Sequence, residues 1–195
     1  MADQKISAMP SASTLTGAEL VPLVQSGANV QTTIAGIKSF TSNDYGAWSD
    51  TTDQTGNISA GVPVTFNTID LTDGITLVSN TRMTVPDNGI YNLQFSIQFK
   101  NIDNAQHDAT IWLVINGTPL ANSSTQYTIP ARKSAGIFGY GVSMLTYALS
   151  LNANDYVEIY WIPTNVAVTI EALPASISPA YPAIPSVIAM MFRVA

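Results

Sequence analysis

The chain contains no cysteine. That excludes a disulfide framework, a thiolate metal site and a cysteine nucleophile. Charge is also scarce: 10% of the 195 residues are Asp, Glu, Lys or Arg, against roughly 25% in an ordinary soluble domain. Polarity comes instead from Ser, Thr, Asn and Gln. A surface so poor in charge is read as one that is covered over much of its area, most simply by other copies of the same chain. The seven Lys and Arg are scattered, only Arg132 and Lys133 being adjacent, and the net charge is −6. No basic patch exists to neutralise phosphates, so nucleic acid is not an expected partner. No run of about 18 apolar residues occurs, so no membrane-spanning segment is expected. No basic region followed by a long apolar run opens the chain, and it is read as lacking a secretory leader.

What is present is a hydrophobic content of 46%, enough for a sizeable core. Residues 1–45 carry only short apolar islands: Ile6, Met9, Leu15, Leu20-Val21, Leu23-Val24, Ile34 and Ile37. They are too dispersed to form a core of their own, so this segment is expected to be an extended, mostly irregular arm. Within it, "STLTGAEL" could open a short helical turn capped by Thr14 or Thr16, with Pro22 limiting its length. From residue 46 onward the pattern is strands. Candidate runs span 46–52, 62–70, 81–85, 90–100, 109–117, 135–149, 155–163, 166–173 and 187–195. Turn signals separate them, the strongest being Asn116-Gly117. The most regular run follows Pro86-Asp87-Asn88-Gly89. There Tyr91, Leu93, Phe95, Ile97 and Phe99 alternate with Asn92, Gln94, Ser96, Gln98 and Lys100, the period of a half-buried strand. Many short strands at even spacing predict an all-β sandwich or jelly roll. The four prolines of 173–186 predict a stiff loop.

Three runs are apolar on both sides: "TIWLVI", "SMLTY" and "VIAMMF". An antiparallel sandwich strand normally keeps one polar face. Two explanations stand: an intermolecular interface, or a strand covered by a loop of its own chain.

Catalytic constellations are not found. The single histidine, His107, adjoins Asp108 in a polar stretch, but adjacency in sequence does not make a triad, and a nucleophile is missing. No G-x-S-x-G, P-loop or G-x-G-x-x-G motif occurs. Gly136, Gly139 and Gly141 fall inside a strand-like run, where close packing or a bulge is the expected use. The pairs Asp50/Asp53, Asp70/Asp73 and Asp103/Asp108 are read as turn aspartates bonding their own backbone. Trp48, Trp161, Tyr160 and Tyr181 could stack on sugar rings, but large aromatics more often fill cores and interfaces. No enzyme, metal or cofactor is expected.

"MTVPDNGIYNLQFSI" resembles the signature of C1q/TNF-like jelly rolls, through Met83, Val85, Pro86, Gly89, Tyr91, Leu93 and Phe95. Phe66-Asn67, the hairpin in "IWLVINGTPL", and Leu151, Asp155 and Val157 add to the likeness. Asn154 stands where the family has glycine, and the family's closing Phe-x-Gly is absent. The resemblance covers roughly residues 47–195 and implies a ten-strand jelly roll that assembles as a homotrimer. It places Gln94, Met144, Met190 and Phe192 at the trimer interface. Separately, "KISAMPSASTLTGAELVPLVQSG" resembles N-terminal arms of bacteriophage virion proteins. That likeness implies an anchor to other virion proteins, a major capsid protein or a tail component, through Ile6, Pro10, Leu15, Leu20, Val21, Pro22 and Val24. The expectation is a two-part protein, an arm over 1–45 and a jelly roll over 46–195. Its expected role is a trimeric capsid decoration or head-fibre protein located in the virion. The alternative is a tail-fibre or tail-tip adhesin whose loops 101–108, 121–131 and 174–186 bind a host surface glycan.

Overall fold

The computed structural model describes residues 16–41 and 44–195. The chain forms two compact units that divide between residues 42 and 43.

The first unit is more ordered than an extended arm. Strands β1 (Leu20–Gln25) and β2 (Ala28–Thr33) pair antiparallel, and helix α1 (Ile34–Thr41) follows. Ser26 and Gly27 both take positive φ, 51° and 79°, which is the two-residue turn that matches the twist of a hairpin. Of "STLTGAEL", residues 13–15 with the Thr14 cap candidate lie outside the described residues, and no helical turn forms over residues 16–20. Glu19 instead accepts hydrogen bonds from the Thr16 and Gly17 amides (2.7 and 2.8 Å) and from the Thr16 hydroxyl (2.7 Å). Those bonds hold the Glu19 carboxyl at a pKa of about 2. Local carboxylate capping wins here because the chain turns at Gly17, whose φ is +93°.

The second unit is a β-sandwich. Its strands are β3 (Tyr45–Asp50), β4 (Gln54–Thr55), β5 (Val62–Pro63), β6 (Thr68–Asp73), β7 (Thr76–Val78) and β8 (Arg82–Thr84). Next come β9 (Gly89–Asn101), β10 (His107–Ile115), β11 (Thr118–Pro119), β12 (Thr125–Ile129) and β13 (Gly139–Leu151). The last are β14 (Tyr156–Pro163), β15 (Val168–Ile170), β16 (Ser176–Ile177), β17 (Ala180–Tyr181) and β18 (Val187–Arg193). One sheet runs β13-β9-β18-β3-β6, with β15 and β4 continuing from the far end of β9; the other runs β12-β10-β14-β8-β7, with β11 and β5 at its margins. The last long strand, β18, lies between the first, β3, and the central β9. That wrapped order, in two facing antiparallel sheets, is a jelly roll, as the strand pattern predicts.

The expected alternation of β9 holds over its length. Tyr91, Leu93, Phe95, Ile97 and Phe99 are all buried, and Trp48, Phe66, Trp161, Ile111 and Met191 meet them in one core. Phe99 packs on Trp161 with ring centroids 5.8 Å apart and on Tyr127 at 6.0 Å. The Asn116-Gly117 hairpin forms as expected, Ile115 pairing with Thr118, and Asn154 takes the left-handed backbone (φ 69°) that its amide side chain tolerates. Gly139 is a close-packing glycine: a Cβ there would lie 1.9 Å from the Pro130 carbonyl oxygen.

Two loop expectations are corrected. Residues 125–129 form β12 on the edge of β10, because Tyr127 and Ile129 find cover against the core that no local periodicity announces. Within 173–186, Ser176-Ile177 pairs with Ala180-Tyr181 as a small hairpin. Replacing Phe99 by Ala empties a site between two aromatic rings, Trp161 and Tyr127. The expected loss is about 3–5 kcal/mol of unfolding free energy, measured by chemical denaturation. A loss below about 1 kcal/mol contradicts this placement of the core.

Candidate assembly interface

The alternation that buries one side of β9 presents the other side outward, and the pairing register aligns it with its neighbours. Ser96 stands between Met144 on β13 and Ile188 on β18, and Ile188 is followed by Ser49 on β3. The next row is Thr146, Gln94, Met190, Ala47 and Leu71; the row after it is Ala148, Asn92, Phe192 and Tyr45. None of these side chains is charged; the last row ends at Asp73, the partner of Tyr45 on the edge strand β6. Met144 is 78% exposed, Leu71 63%, Ile188 49% and Met190 41%. Val142 and Tyr140 prolong the apolar edge along β13, at 50% and 47%. A shallow depression of about 220 Å³ opens among Gln94, Ser96, Met144, Thr146 and Met190. The Asn92 side-chain oxygen is enclosed and accepts no hydrogen bond from the described residues. A buried acceptor left in that state normally finds a donor from water or a partner.

The four residues placed at an interface by resemblance therefore share one face. Gln94 and Met190 are register partners, Phe192 is one row away, and Met144 rims the same depression. Sequence reasoning passed over Tyr45, Leu71, Tyr140, Val142 and Ile188. The legible signal was the apolar alternation of β13, in which Tyr140, Val142 and Met144 stand on the side away from the core.

The runs apolar on both sides resolve differently in the two sheets. In β10 the outward residues are covered by the chain itself. Val114 is buried, Trp112 packs on Tyr160 at 5.8 Å, and the backbone at Gly61 lies so close that a Cβ there would be 2.2 Å from the indole. In β13 and β18 the outward side chains stay open.

Charged groups lie at the ends of the strands. Arg193, on the last strand, donates to the Asn88 carbonyl oxygen (2.7 Å) and lies 3.9 Å from the Asp44 carboxylate and 3.8 Å from that of Asp87. Burial, with Asp87 and Asp73 nearby, holds the Asp44 carboxyl above its ordinary range despite the guanidinium. Burial, with Asp44 beside it, likewise raises the Tyr91 hydroxyl, which donates to the Asp87 carbonyl oxygen (2.9 Å). At the other end Lys100 pairs with Glu171 at 2.7 Å.

The remaining candidates separate. His107 pairs with Asp103, Nε2 to Oδ2 at 2.7 Å, and not with the adjacent Asp108. The Asp108 carboxylate accepts bonds from Thr128 and Gln126 instead. Asp50 bonds the Thr52 amide two residues on, the turn role expected of it. Among the described residues no three metal-ligating side chains converge. Trp48 and Trp161 are fully buried in the core and cannot stack on a sugar. Tyr181 is 45% exposed on the 176–181 hairpin, whose Ile177 is 96% exposed. Of the anchoring candidates, Ile6, Pro10 and Leu15 lie outside the described residues. Leu20, Pro22 and Val24 share one face of the β1–β2 hairpin, and Val21 points to the other.

The strand order defines this unit as a jelly-roll β-sandwich. No family model matches the chain, and no curated protein matches it in sequence. Among solved structures it is similar to the globular domain of zebrafish complement 1qA protein, at 13% identity. The match covers 78% of this chain and 98% of that one, with a TM-score of 0.48.

The electrostatics give a pH test. A carboxyl whose folded pKa is raised contributes stability below its unfolded pKa and loses it as pH rises through the folded value. Asp44 is therefore a liability at neutral pH. Asp44→Asn is expected to melt higher than the parent at pH 7, with the difference closing toward pH 3 in thermal scans. A variant less stable at pH 7 shows instead that the Arg193 contact outweighs burial.

Proposed function

We propose that this chain is a non-catalytic structural protein that works by self-assembly, its jelly roll packing as a homotrimer through the outer face of β13, β9, β18 and β3. One observation carries the reading: a continuous uncharged face with Met144 largely exposed at its middle, in a sandwich that covers its other sheet with its own chain. Water-exposed apolar patches of this kind mark interaction sites. Three copies around an axis also give the row of uncharged amides on β9, including the enclosed Asn92 oxygen, donors and acceptors from identical neighbours.

The N-terminal unit, in this reading, attaches the trimer to a larger particle. The motif in residues 5–25 supports a bacteriophage virion as that particle. The component we assign to it is a capsid decoration or head fibre. Ile177 and Tyr181 on their hairpin support the second reading, an adhesin whose partner is a host surface glycan. Trimeric presentation multiplies weak contacts in either role.

Met144→Glu puts a charge on the face at a position open to solvent in the single chain, so folding is unaffected. The expected result is a monomer by light scattering, with an unchanged far-ultraviolet circular dichroism spectrum. A variant with the parent's mass removes this face from the interface. Deleting residues 1–42, which spares β3 and Asp44, is expected to leave trimers that no longer join particles, read by particle sedimentation and gel. Continued incorporation rules out anchoring by the arm.

A further inference from the structure

The N-terminal unit is folded without a core. Its backbone is ordered by six cross-strand residue pairs and by bonds from the Ile34 amide to the Glu19 carbonyl and from the Ala35 amide to the Gly17 carbonyl. Yet no residue from Thr16 to Ile37 is fully buried. Helix α1 follows β2 directly, and a groove of about 510 Å³ lies among residues of both strands and the helix, bordered by Leu23, Val24, Gln31 and Gly36 among others. By the pairing register Leu20, Pro22 and Val24 stand on one face of the hairpin with Thr33, Gln31 and Asn29. Leu20 is 60% exposed and Val24 68%. A lone two-stranded hairpin is marginal in water unless such a face is covered.

We infer that the Leu20–Pro22–Val24 face is covered by the same face of other copies of this chain, so that the hairpins bundle with one another. Charge singles out that occupant. Residues 20–37 contain no ionisable side chain, although the whole chain carries a net charge of −6. Identical surfaces that carry no charge meet at a symmetry axis without like-charge repulsion, and the charge is absent from this segment. Glu19, the nearest carboxylate, is already held by Thr16 and Gly17. Tethering supplies the rest. Residues 42 and 43 join each hairpin unit to a sandwich, so three associated sandwiches hold three hairpins at an effective concentration of the order of millimolar. A self-contact too weak to form between free chains is populated at that concentration. The inference rests on the trimer reading and adds where the arm's apolar residues go: to one another.

The absence of native cysteine makes single-thiol reporters unambiguous. Full-length Val24→Cys and Gln25→Cys, neighbours on opposite faces, are oxidised in parallel with copper phenanthroline and run on non-reducing gels. Mass is measured by light scattering beforehand. The expected result is a trimer in which Val24→Cys forms disulfide-linked pairs at least tenfold faster than Gln25→Cys. Full-length Val24→Asp is expected to dissociate on dilution at a concentration at least tenfold higher than the parent. A trimer in which the two thiols crosslink at equal rates, with Val24→Asp dissociating like the parent, overturns the hairpin bundle and leaves the trimer standing. That outcome points to a different protein as the cover for this face. A monomeric parent chain overturns both readings together.

Discussion

The structure depends on one strand. β9 runs 13 residues and is paired along both edges, with β13 on one side and β18 then β15 on the other. A strand held on both edges cannot rotate or slip without moving every partner, and a one-residue slip would exchange its two faces. Its inward face is Tyr91, Leu93, Phe95, Ile97 and Phe99, all buried. Five large side chains lock the register, at about 1.5–3 kcal/mol of burial each. The same lock determines what shows outside. Gln94, Ser96 and Gln98 have to face outward, and the neighbouring strands have to bring Met144, Ile188 and Met190 beside them.

The distribution of charge follows from that geometry. The middle of the outer face contains none; Asp73 ends the Tyr45 row on the edge strand, Arg193, Asp44 and Asp87 gather at that end of the sheet, and Lys100 and Glu171 lie at the other. The strand-end ions are only partly hydrated, and burial raises the carboxyls of Asp44 and Glu171 even beside Arg193 and Lys100. An ion in the middle of the face would have to be desolvated if that face packed against another chain. The neutral amides and hydroxyls on β9 avoid this cost and still carry direction. The second sheet solves the same problem internally, by laying the segment at Gly61 over Trp112.

Much of the fold was legible because period-two alternation and turn chemistry are local. The β9 pattern, the Asn116-Gly117 hairpin and the left-handed Asn154 could be read from a few residues each. β12 could not: "TQYTI" has no signature apart from the place β10 offers it. The hairpin at residues 20–33 was hidden because its turn is Ser26-Gly27, a weaker signal than Asn-Gly, and because apolar residues fall on both of its faces. For Trp161 the sequence favoured core or interface over sugar stacking, and only the packing of two sheets decided that its side is interior.

The sequence by itself determined the class of the domain, the face of β9 that faces the core, and the lack of the cysteines that disulfides would need. Those are matters of composition and short-range period, which no folding partner can alter. Only the tertiary structure decided which doubly apolar strands are covered by their own chain and which stay open. β10 and β13 are alike in sequence pattern, and what separates them is a loop that crosses one sheet and not the other. That outcome depends on contacts between segments about fifty residues apart or more, where loop closure and packing, not local preference, set the free energy.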